Sequence, residues 1–136
     1  MSEPEPPETP RRILFVCVEN SCRSQMAEGF ARALSGVRVL AASAGSRPSG
    51  HVDERAIRFM AEKGVDLRSQ TSKGLGDLPS DIAWDTIVTM GCGDACPALP
   101  AQRRIEWDLP DPKTLDDAGF RAVRDRIEQL VRSVLA

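Results

Sequence analysis

The apolar run Ile13-Leu14-Phe15-Val16 leads directly into Cys17-Val18-Glu19-Asn20-Ser21-Cys22-Arg23-Ser24, and this in turn into Gln25-Met26-Ala27-Glu28-Gly29-Phe30-Ala31-Arg32. The first run reads as a strand over Arg12 to Val16. The last reads as a helix over Ser24 to Leu34, with Met26, Ala27, Phe30 and Leu34 recurring at helical intervals and Gly36 as its stop. A strand, a thiol at its end, a short polar loop and an amphipathic helix constrain the chain to an architecture that tolerates such a crossover.

The same alternation continues. Val37 to Ala42 reads as a second strand, and Asp53 to Lys63 as a helix carried by Ala56, Ile57, Met60 and Ala61 and ended by Gly64. A short helical turn is expected around Leu75 to Leu78, a third strand over Asp85 to Met90 and a fourth over Arg103 to Trp107. Asp117 to Leu135 forms a long final helix with Phe120, Val123, Ile127, Leu130, Val131 and Val134 on one side. This order predicts a single α/β domain, a parallel sheet with helices on both faces, right-handed crossovers and a site at the carboxyl ends of the strands. Cys17 and the loops after Met90 and Trp107 meet at that edge. No internal repeat is visible.

Residues Met1 to Pro10 hold four prolines and three glutamates without apolar periodicity, so residues 1–11 are expected to be a disordered tail and 12–136 the domain. A net charge of −2 with scattered Lys and Arg and only six aromatic residues excludes a nucleic-acid surface. The longest apolar segment, Ile13 to Val18, is six residues, which argues against a signal peptide or membrane span and for a cytoplasmic protein. A monomer is expected, since no exposed apolar stripe shows in the pattern. Four cysteines, unevenly spaced, suit nucleophilic or redox chemistry better than a disulfide framework.

Five residues separate Cys17 from Arg23, enough for backbone N–H groups to curl around a tetrahedral oxyanion at a helix N-terminus. Glu19, Asn20, Ser21, Cys22, Arg23 and Ser24 are therefore the expected substrate-binding residues. Arg23 offers a fork of donors and, with the helix N-terminus, favours a thiolate nucleophile at Cys17. Ser24 is placed to donate its hydroxyl to that sulfur, and Asn20 to brace the loop. Cys17 read in isolation would be a buried thiol ending a core strand; Asn20, Arg23 and Ser24 at these spacings favour the site. Cys92 and Cys96 lie in a loop with Gly91 and Gly93, where the backbone has room to rearrange and the pair to close and open. As a zinc half-site this pair lacks partners, because the only histidine, His51, is in a distant segment and reads as a loop or helix-start residue. No metal site is expected.

The string from Cys17 through Asn20-Ser21-Cys22-Arg23-Ser24-Gln25-Met26-Ala27-Glu28 resembles the active-site loop of the low-molecular-weight protein tyrosine phosphatase superfamily, specifically its thioredoxin-coupled arsenate reductase branch. The similarity continues through Ser43-Ala44-Gly45, Gln70-Thr71-Ser72, Val88-Thr89-Met90, Cys96-Pro97 and Asp111-Pro112. It implies a four-stranded sheet of order 2-1-3-4 and reduction of arsenate to arsenite. Cys17 would form the arsenate adduct, Arg23 hold it, Asp111 act as the acid, and Cys92 and then Cys96 relay the disulfide to thioredoxin. No bound cofactor is implied, and phosphate or sulfate would compete as oxyanions. Asp108 is a second candidate for the acid or for orienting Arg23, and Cys22 reads as a packing thiol. The branch places more residues between the relay cysteines than the three found here, which leaves a low-molecular-weight thiol open as the donor. Some members hold potassium through positions matching Asn20, Glu28 and Ser43 and an aspartate; here Lys73 stands at that last position, either neutralising the site or as a surface lysine. The rival activity is a phosphotyrosine phosphatase using Cys17, Arg23 and Asp111, and the remaining one a non-catalytic oxyanion-binding or redox-sensing module. The paired cysteines and the lack of tyrosine favour the reductase.

Overall fold

Four consecutive apolar side chains need cover on both sides, and β1 (Arg11–Cys17) obtains it as an inner strand, with Ile13, Leu14, Phe15 and Val16 fully buried. A computed structural model describes residues 10–79, 81–91 and 99–136. Most of the expected tail, and Cys92 and Cys96, lie outside the described residues. β1 pairs in parallel with β2 (Val39–Gly45) and with β3 (Trp84–Thr89), and β3 pairs in parallel with β4 (Ala101–Glu106). The order is β2-β1-β3-β4, the one the family resemblance implies.

Alternate residues of β1 enter two cores. Ile13, Phe15 and Cys17 join α1 (Arg23–Ser35), α2 (Glu54–Ala61) and α3 (Asp117–Leu135) in the larger one. Leu14 and Val16 join Ala44, Trp84 and Ile87 on the other face, where the described cover comes from Leu75, in the 3₁₀ turn Leu75–Asp77, and from Leu78, Ile82 and Leu99. Burying a side chain of the size of Phe15 or Phe59 contributes about 1.5–3 kcal/mol. Among the described residues no helix is long and apolar enough to cross a membrane.

Several boundaries differ from the sequence reading. β2 begins at Val39, because Gly36–Arg38 forms a 3₁₀ turn that leaves Val37 83% exposed, and it runs on to Gly45. Leu34, read as core, is 39% exposed near the end of α1. In α2 the buried set is Ala56, Phe59 and Met60, whereas Ala61 faces solvent. Phe59 stacks obliquely on Phe120 of α3 with ring centroids 5.0 Å apart, which fixes the face α2 turns inward. α3 keeps the bounds read from its period.

The register delivers the site. Cys17 lies beside Gly45 at the ends of β1 and β2, the Met90 amide donates to the Val16 carbonyl at 2.8 Å, and the Trp107 amide donates to that of Thr89 at 2.9 Å. All four strands therefore end at one edge.

Candidate active site

The loop from Val18 to Cys22 links β1 to α1 in a reversal that requires Asn20 to sit at φ +49°, a left-handed conformation that asparagine tolerates better than most residues. Asn20 is fully buried, and its side chain holds the loop from within. Its Oδ1 accepts from the Lys73 amide and from Gln25 Nε2, both at 2.9 Å, while its Nδ2 donates to Ser24 Oγ at 2.8 Å. Ser24 Oγ lies 2.8 Å from Cys17 Sγ. Asn20 donates to that oxygen, and the Ser24 proton is free to donate to the sulfur when Cys17 acts as a thiolate.

A second layer of amides fixes Asn20. Gln25 Nε2 also donates to the Asn20 and Thr71 carbonyls, each at 3.0 Å, and Gln25 Oε1 accepts from Gln70 Nε2 at 2.8 Å. Gly45 admits the loop at the end of β2: a Cβ there would lie 2.5 Å from the Val18 carbonyl oxygen and 2.9 Å from the Asn20 nitrogen, both rigid backbone atoms.

α1 opens with Cys22 at its N-cap, no side chain capping it and no acidic residue in its first turn, unlike α2 and α3, which Asp53 and Asp116 cap. The positive end of the α1 dipole is thus left to the loop. Arg23, the first residue of α1, donates from Nη1 to the Leu109 carbonyl at 3.0 Å, tying the oxyanion loop to the segment after β4. Its guanidinium packs on the backbone of Gly91, where φ is +72° and a Cβ would come within 2.8 Å of Nη1.

These groups border a pocket of about 240 Å³ lined by Cys17, Val18, Glu19, Ser21, Cys22, Arg23, Asp111 and Lys113. Ser21 is in this lining, and its buried hydroxyl has no hydrogen-bond partner among the described residues. Asp111 reaches the pocket from the 3₁₀ turn Pro112–Thr114, which its carboxylate caps by accepting from the Lys113 amide at 3.0 Å.

A family model described as low molecular weight phosphotyrosine protein phosphatase matches residues 12–136. The chain belongs to this family. Its relatives include the glutaredoxin arsenate reductase of Synechocystis sp., 36% identical over 129 residues that cover 93% of this chain and 97% of that protein. Arsenate reductase 1 of Staphylococcus epidermidis is 40% identical over 130 residues, covering 90% of this chain and 94% of that one. A solved structure described as an arsenate reductase in the phosphate binding state superposes with a TM-score of 0.82 at 34% identity, covering 92% of this chain and 96% of that chain.

Of the expected substrate-binding residues, Glu19, Ser21, Cys22 and Arg23 line the pocket with Cys17, whereas Asn20 and Ser24 are fully buried outside its lining and hold the loop and the sulfur instead. Of the two carboxylates, Asp111 lines the pocket and Asp108 is exposed outside its lining, while Arg23 takes its described anchor from Leu109 instead of Asp108. Burial, followed by the nearby charge of Asp53, pushes the Cys22 thiol far up, so it stays protonated. Cys22 should therefore remain unmodified by iodoacetamide at about pH 8 in the folded protein and react once unfolded; peptide mass mapping reads this, and ready modification in the native state would contradict it. His51 is exposed in the loop before α2. Sequence reasoning gave no role to Gln25, Gln70, Gly45 or Lys113. Gln25, Gln70 and Gly45 fall within the blocks that carry the family resemblance, which was their one signal in the sequence, and Lys113 left none.

The potassium site implied by the resemblance does not fit these residues. Glu28, 2% exposed, accepts from Ser43 Oγ at 2.6 Å and from Arg32 at 2.5 Å, and the Lys73 ammonium lies 3.6 Å from its Oε1. Lys73 Nζ also donates to the Thr71 carbonyl at 3.3 Å. A built-in cation faces the buried carboxylate.

Proposed function

We propose that this protein is an arsenate reductase. The observation that carries the reading is the pocket itself: a braced thiol, Arg23 and a helix N-terminus converge on it, and no described lining residue is aromatic. Such a site suits a small inorganic oxyanion better than an aryl ester, whose ring would need a stacking wall. The arsenate reductases among its relatives support the same choice.

In the proposed reaction the Cys17 thiolate attacks arsenic, and one arsenate oxygen leaves as water with a proton from Asp111. Arg23, Ser21 and the loop amides carry the negative charge. The Cys92 thiolate then attacks Cys17 Sγ; a sulfur–sulfur bond forms, the sulfur–arsenic bond breaks, and its electron pair reduces arsenic to arsenite. Cys96 next attacks Cys92, releasing the Cys17 thiolate and leaving a Cys92–Cys96 disulfide for an external thiol donor. The scheme uses no bound cofactor. Thioredoxin is the donor the resemblance implies, and the name of the Synechocystis relative supports weighing a glutaredoxin-linked small thiol against it.

The test is arsenate-dependent NADPH oxidation with thioredoxin and thioredoxin reductase, and separately with glutathione, glutaredoxin and glutathione reductase, beside hydrolysis of an aryl phosphate. Turnover with either donor supports the reductase and names its donor. Robust aryl phosphatase activity with no arsenate reduction from either donor replaces it with the phosphatase. Because Lys73 supplies its own positive charge beside Glu28, exchanging sodium for potassium should change kcat/KM by less than about twofold; a several-fold gain in potassium would contradict that role.

A further inference from the structure

Lys113 was not needed for the reaction above, yet its side chain forms part of the pocket wall. It sits two residues beyond Asp111 on the turn that Asp111 caps, with buried Pro112 between them. Across the pocket its ammonium pairs with the carboxylate of Glu19, a residue of the oxyanion loop. The two walls of the site are thus joined by an ion pair at the rim. Burial acts against the Lys113 charge, but the hydrogen bond and charge of Glu19 outweigh it and raise the pKa, so the residue is cationic at neutral pH.

We infer that Lys113 is a second anion-binding cation of this pocket, and that Glu19 holds it at the rim and competes with the substrate for its charge. An arsenate dianion carries more charge than the Arg23 guanidinium can balance. Glu19 is 51% exposed, so water readily takes over its solvation when the ammonium turns to another anion. Position gives Lys113 a role in selection as well. With Cys17 attacking from the base, the oxygen opposite it points to the wall of Asp111, and Lys113 shares that wall. A cation there favours a free oxygen over one carrying an organic group, and so an inorganic oxyanion over a phosphomonoester.

This inference rests on the reading of the pocket as an oxyanion site, and inorganic phosphate tests it without turnover. Calorimetric phosphate binding should weaken about tenfold in Lys113→Met, stay within about threefold of wild type in Lys113→Arg, and tighten in Glu19→Gln. The arsenate KM should rise in Lys113→Met while aryl phosphate kcat/KM falls less. A strap that only stiffened the turn would weaken binding in both Lys113→Met and Glu19→Gln. Phosphate affinity in Lys113→Met within about twofold of wild type, or weaker binding in Glu19→Gln, overturns the inference. Failure of the wild type to bind phosphate at all would overturn the oxyanion pocket itself.

Discussion

Cys17→Ser should lose at least about 10⁴-fold in arsenate reduction while keeping inorganic phosphate affinity within about threefold. The two readouts separate because they depend on different atoms. The proposed nucleophile is one sulfur, placed 2.8 Å from Ser24 Oγ, and a serine hydroxyl at neutral pH is a far weaker nucleophile than a thiolate. In the proposed site, anion binding would rest on Arg23, Lys113 and the loop amides, all left in place, with Asn20 holding the loop from inside. Phosphate calorimetry beside a steady-state reductase assay measures both. Residual turnover within about tenfold of wild type would move the nucleophile to another residue.

Asn20→Ala should be the most damaging substitution to the loop, lowering stability by about 2–4 kcal/mol and kcat/KM by at least about 100-fold. It strips the Lys73 amide and Gln25 Nε2 of an acceptor, removes the donor that orients Ser24, and places an alanine at φ +49°. Asn20→Asp separates these effects. The new carboxylate keeps the acceptors for Lys73 and Gln25 but no longer donates to Ser24, whose hydroxyl then turns from sulfur to the carboxylate. Thermal unfolding should show most of the stability retained and the activity still lost. Equal activity in Asn20→Asp and wild type would show that the direction of the Asn20–Ser24–Cys17 chain is unimportant.

Local features of the chain carried the parts of this fold that depend on neighbours in sequence. The apolar run of β1, the period of α3 and the Cys17-to-Arg23 spacing each declare themselves within one element. The order β2-β1-β3-β4 came from the family resemblance rather than from pattern. Errors fell where a tertiary neighbour decides exposure: Leu34 keeps the helical period but sits at the solvent end of α1, and Val37 has strand propensity but lies in a turn. The bracing of the loop was hidden for a related reason. Asn20 was expected to act within its own loop, yet its Oδ1 also takes the Lys73 amide, 53 residues away, and Gln25 is fixed by Gln70, 45 away. Gly45 and Lys113 matter through contacts made only once the strand ends and the Pro112–Thr114 turn are assembled.

In the proposed reaction the thiol and its partners reduce arsenic by two electrons instead of hydrolysing an ester. Its most direct test is a single turnover: fully reduced protein, excess arsenate and no external thiol, with arsenite and free thiols counted. About one arsenite per chain and the loss of two thiols are expected, with no arsenite from Cys92→Ser. No arsenite from the reduced wild type, with all thiols intact, would contradict it.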